Sequence, residues 1–84
     1  MAIFPEIKTT RTDMQQAEKI IEEIEEFKKA SGKNGDMEAV DVLHACETFI
    51  RIRFKGRDSV LEKLIRRVTA KNARRGYYVK KDFY

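Results

Sequence analysis

The segment from residue 36 to 54 constrains the fold most, because as a helix it would be apolar around most of its circumference. Read at 100° per residue, its apolar side chains fall on two adjoining sides: Met37, Val40, Leu43, Ile50 and Phe54, and then Ala39, Val42, Cys46 and Phe49. Such a helix is usually covered on more than one face. A chain of 84 residues has few other elements to cover it. We therefore expect a second copy of the chain to complete the core.

Two further helices are predicted on either side of this segment. Thr12 and Gln15 form a capping-box pattern, and apolar residues then recur at three- and four-residue steps to about Ala30. The cluster 31–35 predicts a turn with glycine in a left-handed conformation. A third, more peripheral helix is expected to begin at Asp58 or Ser59, weaken near residue 73 and stop at residue 76.

These elements predict one all-α domain over residues 1–84. Residues 1–11 read as an N-terminal arm, and residues 77–84 read as a basic, aromatic tail. The expected architecture is a helical hairpin plus a third helix, assembling by oligomerisation into a four-helix-type bundle, as a homodimer or a homotetramer.

Charge is divided unevenly along the chain. Residues 1–48 carry 6 Lys/Arg and 11 Asp/Glu, whereas residues 49–84 carry 12 Lys/Arg and 3 Asp/Glu. An acidic cluster that holds a cation, beside a basic segment that holds an anion, suits a metal–phosphate ligand. One cysteine excludes an internal disulfide and favours a reducing compartment, and no long apolar run is present. A cytoplasmic protein that does not enter a membrane is expected.

Two groups of carboxylates fall on the first two helices. Four glutamates lie within one and a half turns of the first helix. Glu23 and Glu26 flank one edge of its apolar stripe, and Glu22 and Glu25 flank the other. Glu38 and Asp41 lie one turn apart on the apolar second helix, without a basic neighbour three or four residues away. Close carboxylates repel each other, and a hard divalent cation with oxygen ligands relieves that repulsion. A solvated acidic face is the alternative interpretation.

The two acidic groups, Glu22-Glu23-Ile24-Glu25-Glu26 and Glu38-Ala39-Val40-Asp41, carry a family resemblance. Together they resemble the EExxE and ExxD motifs of the MazG-like all-α nucleoside triphosphate pyrophosphohydrolases. The stretch from residue 71 to 78 is similar to the C-terminal element of small members. The resemblance implies hydrolysis of an NTP or dNTP between its α- and β-phosphates, giving a monophosphate and pyrophosphate.

The resemblance also implies roles for single residues. Glu23, Glu26, Glu38 and Asp41 would hold Mg²⁺, with Mn²⁺ as a substitute. Glu22 and Glu23 would act in catalysis, Glu22 by helping to position the attacking water. Many members have a small residue where this chain has Glu25, so Glu25 either faces solvent or crowds the site.

The basic C-terminal segment supplies candidates for binding the substrate: Lys71, Asn72, Arg75 and Tyr77. Lys71 or Arg75 would bind the outgoing pyrophosphate, and Asn72 would contact phosphate, ribose or base. Tyr77 would stack on a base or, alternatively, pack across a subunit interface. The rival hypothesis is a non-catalytic helical module that binds nucleotide or nucleic acid through the same basic half. We favour the nucleotide as ligand over nucleic acid.

Overall fold

The chain folds into three α-helices. The computed structural model describes residues 3–55, 57 and 59–79, and within them it contains α1 (Asp13–Lys29), α2 (Gly32–Arg53), α3 (Ser59–Arg74) and no strand. The predicted all-helical class is confirmed. Residues 3–11 and 77–79 lie outside the helices, as expected for the arm and the start of the tail, whereas residues 80–84 fall outside the described residues.

The N-terminus of α1 is fixed by the predicted capping box. The Thr12 hydroxyl accepts a hydrogen bond from the Gln15 backbone N–H at 3.1 Å, and the Gln15 side chain accepts one from the Thr12 N–H at 2.9 Å. These bonds satisfy two backbone donors near the helix start that lack partners within the helix. α1 ends at Lys29, next to Ala30, which is extended.

The start of α2 differs from the prediction. The helix begins at Gly32, four residues before the expected start at Asp36, so most of the predicted turn is helical. The chain reverses over Ala30 and Ser31, and the φ of +59° at Gly32 is in the left-handed region that glycine adopts without strain. The Gly35 N–H then donates to the Ser31 carbonyl. Packing of the hairpin outweighs the low helix propensity of the two glycines.

Helices α1 and α2 pack along each other as a hairpin, and their shared interior is largely polar. Gln16 is buried, and its amide donates to the Ala45 carbonyl at 3.1 Å. The other buried side chains among the described residues are Ala45, Glu47 and Thr48. The apolar sides of α2 are not covered within one chain: Met37 is 69% exposed and Val40 is 50% exposed.

The third helix stands apart from the hairpin. None of its residues is buried, and the close packing between helices that joins α1 to α2 has no counterpart for α3. This confirms its predicted peripheral position. α3 ends at Arg74, and Gly76, with φ +71°, lies at the predicted stop. Of its two predicted N-caps, Asp58 lies outside the described residues.

The chain is less compact than a typical globular domain of the same length. Its radius of gyration is 14.8 Å, whereas a compact domain of this length has one of about 12 Å. Within the described residues, no helix has the length and apolar character needed to cross a membrane.

Candidate metal centre

Three carboxylates meet where α1 and α2 face each other. Glu23 comes from α1, and Glu38 and Asp41 come from α2. One oxygen from each lies within 4.8 Å of the other two. Helical spacing explains the pair on α2, because residues three apart share a face. The hairpin brings the third carboxylate across the interface.

Glu38 is the member of this cluster whose charged form is most disfavoured by its surroundings. Partial burial raises the pKa of its carboxyl, and repulsion from Glu26, Asp41 and Glu23, together with a hydrogen bond to Glu26, raises it further. Its Oε2 atom is buried and has no hydrogen-bond partner among the described residues. A buried carboxylate oxygen without a partner, facing other carboxylates, favours binding of a cation or a proton.

Glu26 stands beside the cluster and interacts with Glu38. The structure therefore brings Glu23, Glu38 and Asp41 together and places Glu26 next to them. These are the four residues that the family resemblance assigns to the metal.

The other two glutamates of the first motif point elsewhere. Glu22 is largely exposed and lies 3.8 Å from the Lys19 ammonium, and Glu25 is exposed and lies 3.9 Å from Lys28. Glu25 therefore faces solvent and does not crowd the cluster. Glu22 is one residue from Glu23 along α1, but it is not part of the carboxylate group.

Lys19 is a member of the site that the motif analysis missed. Its ammonium lies 3.3 Å from a carboxylate oxygen of Glu23, whose side chain is 13% exposed. The pair is spaced i, i+4, which is the signal that could have revealed it. Lys19 offsets part of the negative charge and holds Glu23 in one orientation.

The donor set suits a hard divalent cation. Mg²⁺ binds carboxylate oxygens and retains water molecules for contact with phosphates. The oxygens of Glu23, Glu38 and Asp41 are close enough for one ion to draw them together. Within the described residues, the site has no cysteine or histidine donor, and such donors would favour a softer metal.

The four candidates for substrate binding lie at the end of α3 and just beyond it. The Asn72 carbonyl accepts the backbone N–H groups of Arg75 and Tyr77, at 3.2 and 3.1 Å. The Arg75 guanidinium lies over the Tyr77 ring at 6.0 Å, and Lys71 is exposed. These interactions are local to the helix end. Among the described residues of one chain, α3 lacks the close packing against the hairpin that joins α1 to α2.

A second group of polar residues, also missed from the sequence, fastens the N-terminal arm to α2. Both carboxylate oxygens of Glu47 accept backbone hydrogen bonds, from Ile3 at 2.8 Å and from Phe4 at 3.0 Å. Arg51 pairs with Glu47 at 3.3 Å and donates to the Phe4 carbonyl at 2.7 Å. The Phe4 ring stacks on His44 with centroids 4.2 Å apart. The i, i+4 spacing of Glu47 and Arg51 was the available signal.

Comparison with protein-family models, with curated proteins and with solved structures finds no match to this chain.

Proposed function

We propose that this protein is a Mg²⁺-dependent nucleoside triphosphate pyrophosphohydrolase, which cleaves (d)NTP to (d)NMP and pyrophosphate. The observation that carries the proposal is the convergence of Glu23, Glu38 and Asp41 across the hairpin, with Glu26 beside them. The MazG-like resemblance of the two acidic motifs adds the reaction type.

The cluster would hold the cation through Glu23, Glu38, Asp41 and Glu26. A bound Mg²⁺ neutralises phosphate charge and acidifies water. Lys19, 3.3 Å from Glu23, would hold that carboxylate in position. Glu22 shares the same lysine from outside the cluster, so its predicted part in catalysis would be exerted through Lys19 and Glu23.

The proposed enzyme is an oligomer, and the exposed surface of one chain supports this. A folded monomer of 9.9 kDa exposes about 5,200 Å², whereas this chain exposes 6989 Å². One subunit of an obligate dimer commonly buries on the order of 1,000 Å² or more in the interface. The excess exposed area of this chain is of that size. Exposed apolar side chains on all three helices, among them Ile21, Val40 and Val68, supply the contact surface.

Oligomerisation would also place the basic residues at the end of α3 near a carboxylate cluster. Lys71 and Asn72 lie in the last turn of α3, and Arg75 and Tyr77 lie just beyond it, so all four are placed by a helix that packs little against its own hairpin. In the proposed assembly they bind the phosphates and base of a nucleotide at a carboxylate cluster, and a neighbouring chain can bring them there.

The test is product analysis with a panel of NTPs and dNTPs. We expect pyrophosphate and nucleoside monophosphate in Mg²⁺ or Mn²⁺ and no turnover in excess EDTA. Asp41→Asn should lower turnover by at least a hundredfold, whereas Asp36→Asn, an identical change at an exposed site on α2, should leave it within twofold. Release of orthophosphate with nucleoside diphosphate, or equal loss in both variants, would contradict the proposal.

The second candidate function is a non-catalytic module that binds nucleic acid or nucleotide. It is favoured by one observation: α3 presents exposed cations, including Lys63, Arg66, Arg67 and Lys71, away from the carboxylates. Tight oligonucleotide binding whose affinity falls steeply with salt, without hydrolysis of any nucleotide, would support this function.

A further inference from the structure

A cavity of about 610 Å³ lies between the N-terminal arm, the C-terminal half of α2 and the start of α3. It is separate from the carboxylate cluster: Asp41 and Arg51 are ten residues apart on α2, which is about 15 Å along the helix axis. Its volume lies in the range of small-molecule sites.

Positive charge dominates the lining of this cavity. Arg11, Arg51, Lys55 and Arg57 contribute cations, and Glu6 contributes the opposing carboxylate. Glu47 lies behind Arg51 and offsets one of those charges. Among the described lining residues, the cavity therefore keeps an excess of positive charge.

Arg51 is held in place with spare donor capacity. One of its terminal nitrogens, Nη2, is fixed by the Phe4 carbonyl and by Glu47. The other, Nη1, is buried and finds no hydrogen-bond partner within the part of the chain that the structure describes. Arg51 is therefore a cation held in one position on the cavity wall, and guanidinium groups bind phosphate oxygens well.

Five apolar side chains and three threonines make up the rest of the described lining. Ile7, Ile50 and Leu61 provide apolar surface, and Thr9 and Thr10 provide hydroxyl groups from the arm. A bare inorganic anion would leave the apolar surface unused. A phosphate ester with an organic body of nucleotide size fits both parts.

We propose that this cavity is a second ligand site, distinct from the carboxylate cluster, which binds a small organic phosphate monoester without a metal ion. The cations Arg11, Arg51, Lys55 and Arg57 face the phosphate, and the isoleucine and leucine side chains face the organic group. The site does not depend on the proposed hydrolase activity.

The experiment titrates the full-length protein with adenosine monophosphate, ribose 5-phosphate and inorganic phosphate in excess EDTA, by calorimetry and by backbone amide NMR. We expect the nucleotide to bind most tightly and to shift amides of the arm and residues 48–55. The double variant Lys55→Ala/Arg57→Ala should weaken binding at least tenfold. Lys63→Ala/Arg67→Ala, which removes the same charges from the exposed face of α3, should change it less than twofold.

Three results would overturn the proposal. Equal weakening in both double variants would show a general electrostatic effect. Amide shifts confined to the region of Glu23, Glu38 and Asp41 would place the ligand in the carboxylate cluster. A single-stranded oligonucleotide that binds far more tightly than the mononucleotide, with equal loss in both variants, would assign the basic surface to nucleic acid. Circular dichroism of each variant confirms that the helices are retained.

Discussion

Glu47 offers the sharpest test of how the structure is held together. Its side chain is 3% exposed, and it accepts the backbone N–H groups of Ile3 and Phe4 while pairing with Arg51. The change Glu47→Gln keeps the shape but removes the charge. It also presents an amide N–H₂ to one of the two backbone donors, so that one hydrogen bond becomes a contact between two donors.

The magnitude follows from these contacts. Breaking a buried ion pair by removing one partner costs about 3–5 kcal/mol. The arm can return its N–H groups to water, since Ile3 is largely exposed, so we expect the lower end, about 3 kcal/mol. For a domain of this size, that lowers the Tm by about 12–24 °C.

The assay is thermal and urea unfolding followed by circular dichroism at one fixed protein concentration, because oligomerisation makes the Tm depend on concentration. Glu18→Gln, an identical change on the exposed surface of α1, serves as the control and should shift stability by less than about 0.5 kcal/mol. A Glu47→Gln protein as stable as this control would refute the assignment of Glu47 as the anchor of the arm.

The same carboxylate predicts a pH dependence. Burial alone would raise the pKa of Glu47, but hydrogen bonds from Phe4 and Ile3 and the charge of Arg51 outweigh it, so the pKa lies below the ordinary value of 4.5. The stabilisation is therefore complete above that value and is lost as the pH falls through the lowered pKa. Wild-type stability should fall more steeply below pH 4.5 than that of Glu47→Gln. Parallel acid unfolding of the two proteins would contradict this.

Three further predictions concern the metal, the assembly and the first helix. Millimolar Mg²⁺ should raise the wild-type Tm, relative to EDTA, and raise that of Asp41→Asn much less, because a ligand that binds only the folded state stabilises it; equal shifts would remove Asp41 from the site. Light scattering at micromolar concentration should give a mass of at least two chains, and a monomer mass would exclude the proposed bundle. Thr12→Ala should cost about 1 kcal/mol in unfolding measurements, through loss of the cap seen at Gln15, whereas Thr10→Ala, outside the helix, should cost much less.

The sequence by itself predicted the three helices, because capping signals and apolar periodicity depend on spacing along one chain. The capping box at Thr12 and the glycine stop at Gly76 are local signals, and the structure has them at the predicted places. The spacing of Glu38 and Asp41 fixes their common face in any helix. The start of α2 was misplaced because glycine propensity alone argues against a helix at Gly32, and the packing of the hairpin overrides it.

Only the tertiary structure decided which side chains meet across elements. The sequence gives no register between α1 and α2, so neither the approach of Glu23 to Asp41 nor the burial of Gln16 could be read from it. The fastening of the arm by Glu47 joins residues more than forty positions apart. Contacts over such separations depend on the path of the whole chain rather than on a repeating local pattern. For the same reason the cavity under the arm, lined from three separate elements, has no signature in the sequence.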